Sequence, residues 1–106
     1  MWTLRRVGLD GSHNEEIVTA GNLAINPDIS PDGAWIAFAG QASDDATRND
    51  IFIVRPDGSD MTNLTAESDA IGYSVLPSWS ADGHTIAFTG GQLDGDTADI
   101  FLVDVA

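Results

Sequence analysis

The chain has 106 residues, 17 of them acidic against 4 basic, which gives a formal net charge of −13, and it contains no cysteine. Its length suits one ordinary domain with a core of its own, and not two. The charge repels phosphate backbones and anionic lipid, excluding nucleic acid and a membrane surface as partners, while the lack of cysteine excludes disulfide staples and thiolate chemistry.

In chain order, strands are expected over about 2–8 and 15–19, separated by Asp10-Gly11-Ser12. A second group follows at about 25–30, 34–39, 50–55 and 61–65, and a third at 75–80, 84–89 and 99–105. The runs Trp35 to Phe38, Ile51 to Val54 and Ile100 to Val103 are β-branched or aromatic and too short for buried helices. Asp-Gly pairs at 10–11, 32–33, 57–58 and 82–83 lie between apolar runs, where glycine supplies the positive φ of a tight hairpin turn. Because the runs are apolar at consecutive positions, both faces of each sheet are expected to be covered.

The chain also repeats itself. Ile29-Ser30-Pro31-Asp32-Gly33-Ala34-Trp35-Ile36-Ala37-Phe38 returns as Trp79-Ser80-Ala81-Asp82-Gly83-His84-Thr85-Ile86-Ala87-Phe88, and Asn49-Asp50-Ile51-Phe52-Ile53-Val54 returns as Ala98-Asp99-Ile100-Phe101-Leu102-Val103. Asp10-Gly11-Ser12 answers Asp57-Gly58-Ser59. Fixed-period self-similarity of short strands points to an all-β protein built of four-stranded antiparallel sheets, the blades of a β-propeller. The expected division is the outer strands of a partial blade in 1–24, a complete blade in 25–66, and a blade lacking its outermost strand in 75–106.

The blocks Ser30-Pro31-Asp32-Gly33 and Trp35-Ile36-Ala37-Phe38, then Asp50-Ile51-Phe52-Ile53-Val54, Asp57-Gly58-Ser59 and Asn63-Leu64-Thr65, resemble the WD-repeat-like blade of TolB-type propellers over nearly the whole chain. The one departure is Ala81 where the first Ser-Pro-Asp-Gly copy has proline, a tolerable change because proline only pre-sets a turn φ. The resemblance implies a scaffold, often of six blades, that binds proteins or sits beside an enzyme, and it allows a periplasmic location.

A propeller needs about four to eight blades to close, and about two are visible here. The ring is therefore expected to close by oligomerisation, with a trimer giving six blades and one chain's start completing its neighbour's last blade, or else to be part of a larger propeller.

Chemistry is sparse. Asp94, Asp96 and Asp99 gather three carboxylates in one loop, as calcium prefers, although the loop lacks the glycine and distal glutamate of an EF-hand. Asp50 and Asp99 stand at equivalent strand entrances, where aspartate commonly caps local backbone N–H groups. His13 and His84 sit beside turns without partners at metal-ligand spacing. Gly72-Tyr73-Ser74-Val75-Leu76 fails as a nucleophile elbow at Leu76. Trp2, Trp35 and Trp79 recur with the units and read as packing between blades. The links 22–28 and 68–74 are the rims on which a propeller carries recognition. The expected function is a non-enzymatic scaffold for protein interaction or self-assembly. The alternatives are the propeller portion of a peptidase-like enzyme whose catalytic residues lie elsewhere, and a calcium-stabilised structural module.

Overall fold

The computed structural model describes residues 3–19, 24–41, 48–66, 72–92 and 98–105, and among them there is no helix. The described residues include nine strands in three antiparallel sheets. Sheet A pairs β1 (Thr3–Arg6) with β2 (Glu15–Thr19). Sheet B runs β3 (Ala24–Ile29), β4 (Ile36–Gly40), β5 (Asp50–Val54), β6 (Thr62–Asn63), and sheet C runs β7 (Tyr73–Trp79), β8 (Thr85–Gly91), β9 (Ala98–Asp104), each in sequence order. Strand boundaries all fall within about two residues of those read from the sequence, the sixth strand being the most shortened in proportion.

The turns explain why the chain reverses where it does. Gly11, Gly33, Gly58 and Gly83 all have positive φ, between 74° and 90°. In the 30–35 turn, Ser30 Oγ donates to Asp32 Oδ1 at 2.7 Å and accepts from the Trp35 amide at 3.0 Å, while the Ala34 amide donates to Asp32. The 80–85 turn repeats every one of these bonds with Ser80, Asp82, His84 and Thr85. Asp10 and Asp57 each accept from the amide and hydroxyl of the serine two residues on. In both turn types a short acceptor satisfies amides that the reversal frees from the ladder.

Sheets B and C share one register. Ile36, Ala37, Phe38, Ala39 and Gly40 face Val54, Ile53, Phe52, Ile51 and Asp50 across the β4–β5 ladder. Ile86, Ala87, Phe88, Thr89 and Gly90 face Val103, Leu102, Phe101, Ile100 and Asp99 in the same order. The cross-strand rings stack alike, Phe38 on Phe52 at 5.5 Å and Phe88 on Phe101 at 5.6 Å. The first strand of each sheet carries a bulge at the same place, between Ile25 and Asp28 and between Val75 and Ser78, built on a residue of φ 56°, Asn26 or Leu76.

The sheets stack in layers, with sheet B in the middle. One face of sheet B, made by Ala37, Ala39, Ile51 and Ile53, packs against Ile86, Phe88, Phe101 and Val103 of sheet C. The opposite face, made by Ile36, Phe38, Phe52 and Val54, packs against Leu4, Ile17 and Val18 of sheet A. Every residue of β4 and β5 is buried, so the expectation of two covered faces holds for this sheet. Sheet C alternates instead: Phe101 and Val103 point into the core while Ile100 and Leu102 face outwards. One face of sheet C is thus open within the single chain.

Candidate functional site

The register makes the open surface of sheet C directly comparable with a covered one. Ile51 and Ile53 are 0% and 4% exposed beneath sheet C, while Ile100 and Leu102, which occupy the same two ladder positions, are 69% and 72% exposed. Leu76 on the β7 bulge is also exposed. At that exposure the two branched side chains forgo much of the about 1.5–3 kcal/mol that full burial of each gives, and neighbouring apolar side chains on one sheet face form a patch of the kind that marks an interaction site.

The other end of the stack is open too. Pro27 and Ile29 on β3 are exposed, whereas Pro77 is buried and Trp79 half-buried at the corresponding places on β7. What covers β7 is sheet B itself: the Trp79 amide donates to Asp28 Oδ2 at 2.8 Å and its indole Nε1 donates to the Asp28 carbonyl at 3.1 Å. Among the described residues sheet A is the pair β1–β2, and beside it lies a cleft of about 310 Å³ lined by Leu4, Val7, Ile17, Pro27, Ile29 and Ile36. Val7, exposed there, matches the buried Val54 through the equivalent turns Gly8–Ser12 and Arg55–Ser59.

A second cleft, of about 480 Å³, runs between the first turns of sheets B and C and is lined by Ser30, Asp32, Trp35, Asp82, His84 and Val105. Its carboxylates are committed to their turns. The Ala34 amide and then the Ser30 hydroxyl hold Asp32 below the usual carboxylate range, and the Ser80 hydroxyl and then the His84 amide do the same for Asp82. A general acid needs a raised pKa, so this pair is poorly suited to proton transfer. Trp35 carries the Arg55 guanidinium 4.0 Å above its ring and packs on the core, in line with its reading as a packing residue.

The most developed polar cluster is buried in sheet B. Asp50 Oδ1 accepts from Thr65 Oγ1 at 2.8 Å and from Arg48 at 2.7 Å, and Oδ2 accepts from Asn63 Nδ2 at 3.1 Å. Thr65 Oγ1 also accepts from the Ile51 amide at 3.1 Å, and Arg48 donates to the Thr65 carbonyl at 2.6 Å. This corrects the expected local capping by Asp50: the carboxylate takes side-chain donors from across the sheet and leaves the Ile51 amide to Thr65. It also explains why β6 stops at Asn63, since a hydroxyl replaces the backbone acceptor at the next ladder position. Desolvation pushes the Asp50 pKa up, but the bonds from Arg48, Thr65 and Asn63 and the Arg48 charge outweigh it, so the net shift is downward.

Of the carboxylates proposed for calcium, Asp94 and Asp96 lie outside the described residues, as does Trp2; Asp99 stands exposed at the start of β9. Among the described residues, no group of three His, Cys, Asp or Glu side chains converges on a metal position. His13 and His84 are exposed in their turns, His13 at φ 54°. The links 22–28 and 68–74 are described only in part.

No family model matches the sequence, and no curated protein matches it. Among solved structures it is similar to a protein of Agrobacterium tumefaciens provisionally named TolB, with a TM-score of 0.77 and 25% identity over 97% of this chain and 37% of that one. The chain thus spans little more than a third of that protein's length. With three stacked antiparallel sheets and this neighbour, the chain has a TolB-like, all-β fold of partial β-propeller blades.

Proposed function

We propose that the chain is a non-catalytic propeller scaffold, made of TolB-type WD-repeat-like blades, that works by association through its open sheet faces. A second copy of the chain is the first partner, and a protein or peptide the next. The observation that carries this reading is the exposure of Ile100 and Leu102 at positions where Ile51 and Ile53 are buried. Exposed Arg5 and Arg6 on β1 stand cross-strand from exposed Glu16 and Glu15, so the charges of sheet A balance one another, while Asp99 and Asp104 are exposed on β9. The net charge of −13 opposes association, so the drive for stacking the first end of one copy on the last end of another is burial of the apolar faces.

The test is the mass in solution by light scattering at about 0.5 M salt, where net repulsion is screened. The expected result is a mass of more than one chain, reduced to one chain by Leu102→Asp. A single-chain mass at every concentration would refute self-association.

A further inference from the structure

The four tight turns are built on Asp-Gly, a dipeptide with a reaction of its own. The glycine nitrogen attacks the aspartate Cγ, and the missing side chain leaves that approach unhindered. The N–Cγ bond forms, a Cγ–O bond breaks, and the carboxyl oxygen leaves as water with the amide proton, closing a succinimide ring. Water then opens the ring at either carbonyl, restoring aspartate or giving isoaspartate. Three things are required: the nitrogen must lose its proton, the carboxyl must be protonated to release water, and it must turn towards the nitrogen.

Each described turn opposes all three. The glycine N–H is committed to the carbonyl three residues back: Gly11 to Gly8, Gly33 to Ser30 and Gly58 to Arg55 at 2.9 Å, and Gly83 to Ser80 at 3.0 Å. Oδ1 of every aspartate is held away by a serine hydroxyl and a backbone amide. Both come from Ser12 for Asp10 and from Ser59 for Asp57. For Asp32 they come from Ser30 and Ala34, and for Asp82 from Ser80 and His84. The same bonds keep the four carboxyls ionised below the usual carboxylate range. All four aspartates are exposed, so water reaches them and burial is not what protects them.

We propose that Asp10, Asp32, Asp57 and Asp82 are latent isoaspartate sites, each held shut by the hydrogen bonds of its own turn and modified only when that turn opens. Once formed, isoaspartate carries the main chain through Cβ and Cγ and lengthens the turn by one backbone atom. The carboxyl that accepted the serine and amide bonds becomes the peptide link, so the acceptor is lost and the turn cannot close as before. At Asp32 the altered turn joins β3 to β4, and at Asp57 it joins β5 to β6, so the damage falls on the register of the ladders. A fifth pair, Asp94-Gly95, lies outside the described residues.

The test does not depend on association between copies. The full chain is kept at neutral pH in buffer and, in parallel, in urea above its unfolding midpoint, and isoaspartate at each position is followed by peptide mapping with mass spectrometry. In urea all the Asp-Gly bonds, Asp94-Gly95 included, should isomerise at similar rates. In buffer the four turn bonds should react at least about tenfold more slowly, as for turns that are open less than about a tenth of the time. Ser80→Ala should speed Asp82 about threefold or more in buffer and leave Asp10 and Asp57 unchanged. Ser59→Ala, whose parent side chain is exposed, should do the same for Asp57 alone, and it carries the test should Ser80→Ala unfold. Neither variant should alter the rates in urea. Equal rates in buffer and urea would overturn the protection. In folded variants, acceleration of all four bonds together, or of none, would overturn its assignment to the bonds of the individual turns.

Discussion

Ile51→Ala and Ile100→Ala delete the same side chain from the same ladder position of two equivalent sheets, one covered and one open. Ile51 is fully buried between sheets B and C, so truncation removes its burial and leaves a cavity that the Ala39, Ile86 and Phe88 surroundings cannot close, at a cost of about 2–5 kcal/mol. Ile100 keeps 69% of its surface in water. Its truncation forfeits only the buried remainder and some strand preference, about 1 kcal/mol or less. Urea unfolding followed by Trp35 and Trp79 fluorescence measures both. At micromolar concentration the two costs should differ by at least about 1 kcal/mol, the smallest gap between those ranges. As concentration rises and the sheet C face is covered by another copy, the Ile100→Ala cost should climb towards that of Ile51→Ala, since association stabilises by mass action. Equal costs at the lowest concentration would refute the assignment of one face as covered and the other as open.

Gly58 and Gly33 separate close approach from φ strain. Both have positive φ, but a Cβ on Gly58 would collide with the Ile17 carbonyl, whereas one on Gly33 meets nothing. Gly33→Ala should cost about 1–2 kcal/mol and Gly58→Ala clearly more, with the excess accompanied by faster hydrogen exchange in β2. Acid titration tests the Asp50 cluster. Its folded pKa lies below the unfolded value, so its contribution is full above about pH 4 and is lost as pH falls through the folded pKa. Asp50→Asn should lower stability at pH 7 and flatten the loss on acidification. Asp10, Asp32, Asp57 and Asp82, also lowered by their turn bonds, leave a residual slope of the same sign. An unchanged acid profile in Asp50→Asn would refute the role given to that carboxylate.

What the sequence discloses is what local physics dictates. Asp-Gly between apolar runs demands a turn, and four such turns appear with the glycine at positive φ. The runs Ile36 to Ala39 and Ile51 to Val54, apolar on both faces, announce a sheet covered on both. That same evenness hides which face looks which way, because without alternation no side chain marks the core. The bulge at Leu76 is equally silent, since leucine has no preference for a left-handed backbone and only its match to Asn26 betrays it. The Asp50 cluster joins Arg48 to Thr65, too far along the chain for any local rule, so capping by Asp50 was the natural and mistaken expectation. For Asp10, Asp32, Asp57 and Asp82, whose acceptors do serve nearby amides, the local rule holds.

Each sheet shows two unlike sides. The Ile-x-Phe and Phe-x-Val side of sheet B meets sheet A, and the corresponding side of sheet C meets sheet B. The layers thus have a direction, as bricks with studs above and sockets below. Copies joined first side to last side are not related by a twofold axis, because that contact uses two different patches. Their symmetry is cyclic where the turn per copy divides a full circle, and otherwise the same contact propagates without end into a fibre. The rotation between neighbouring layers therefore decides whether such an assembly is a finite object.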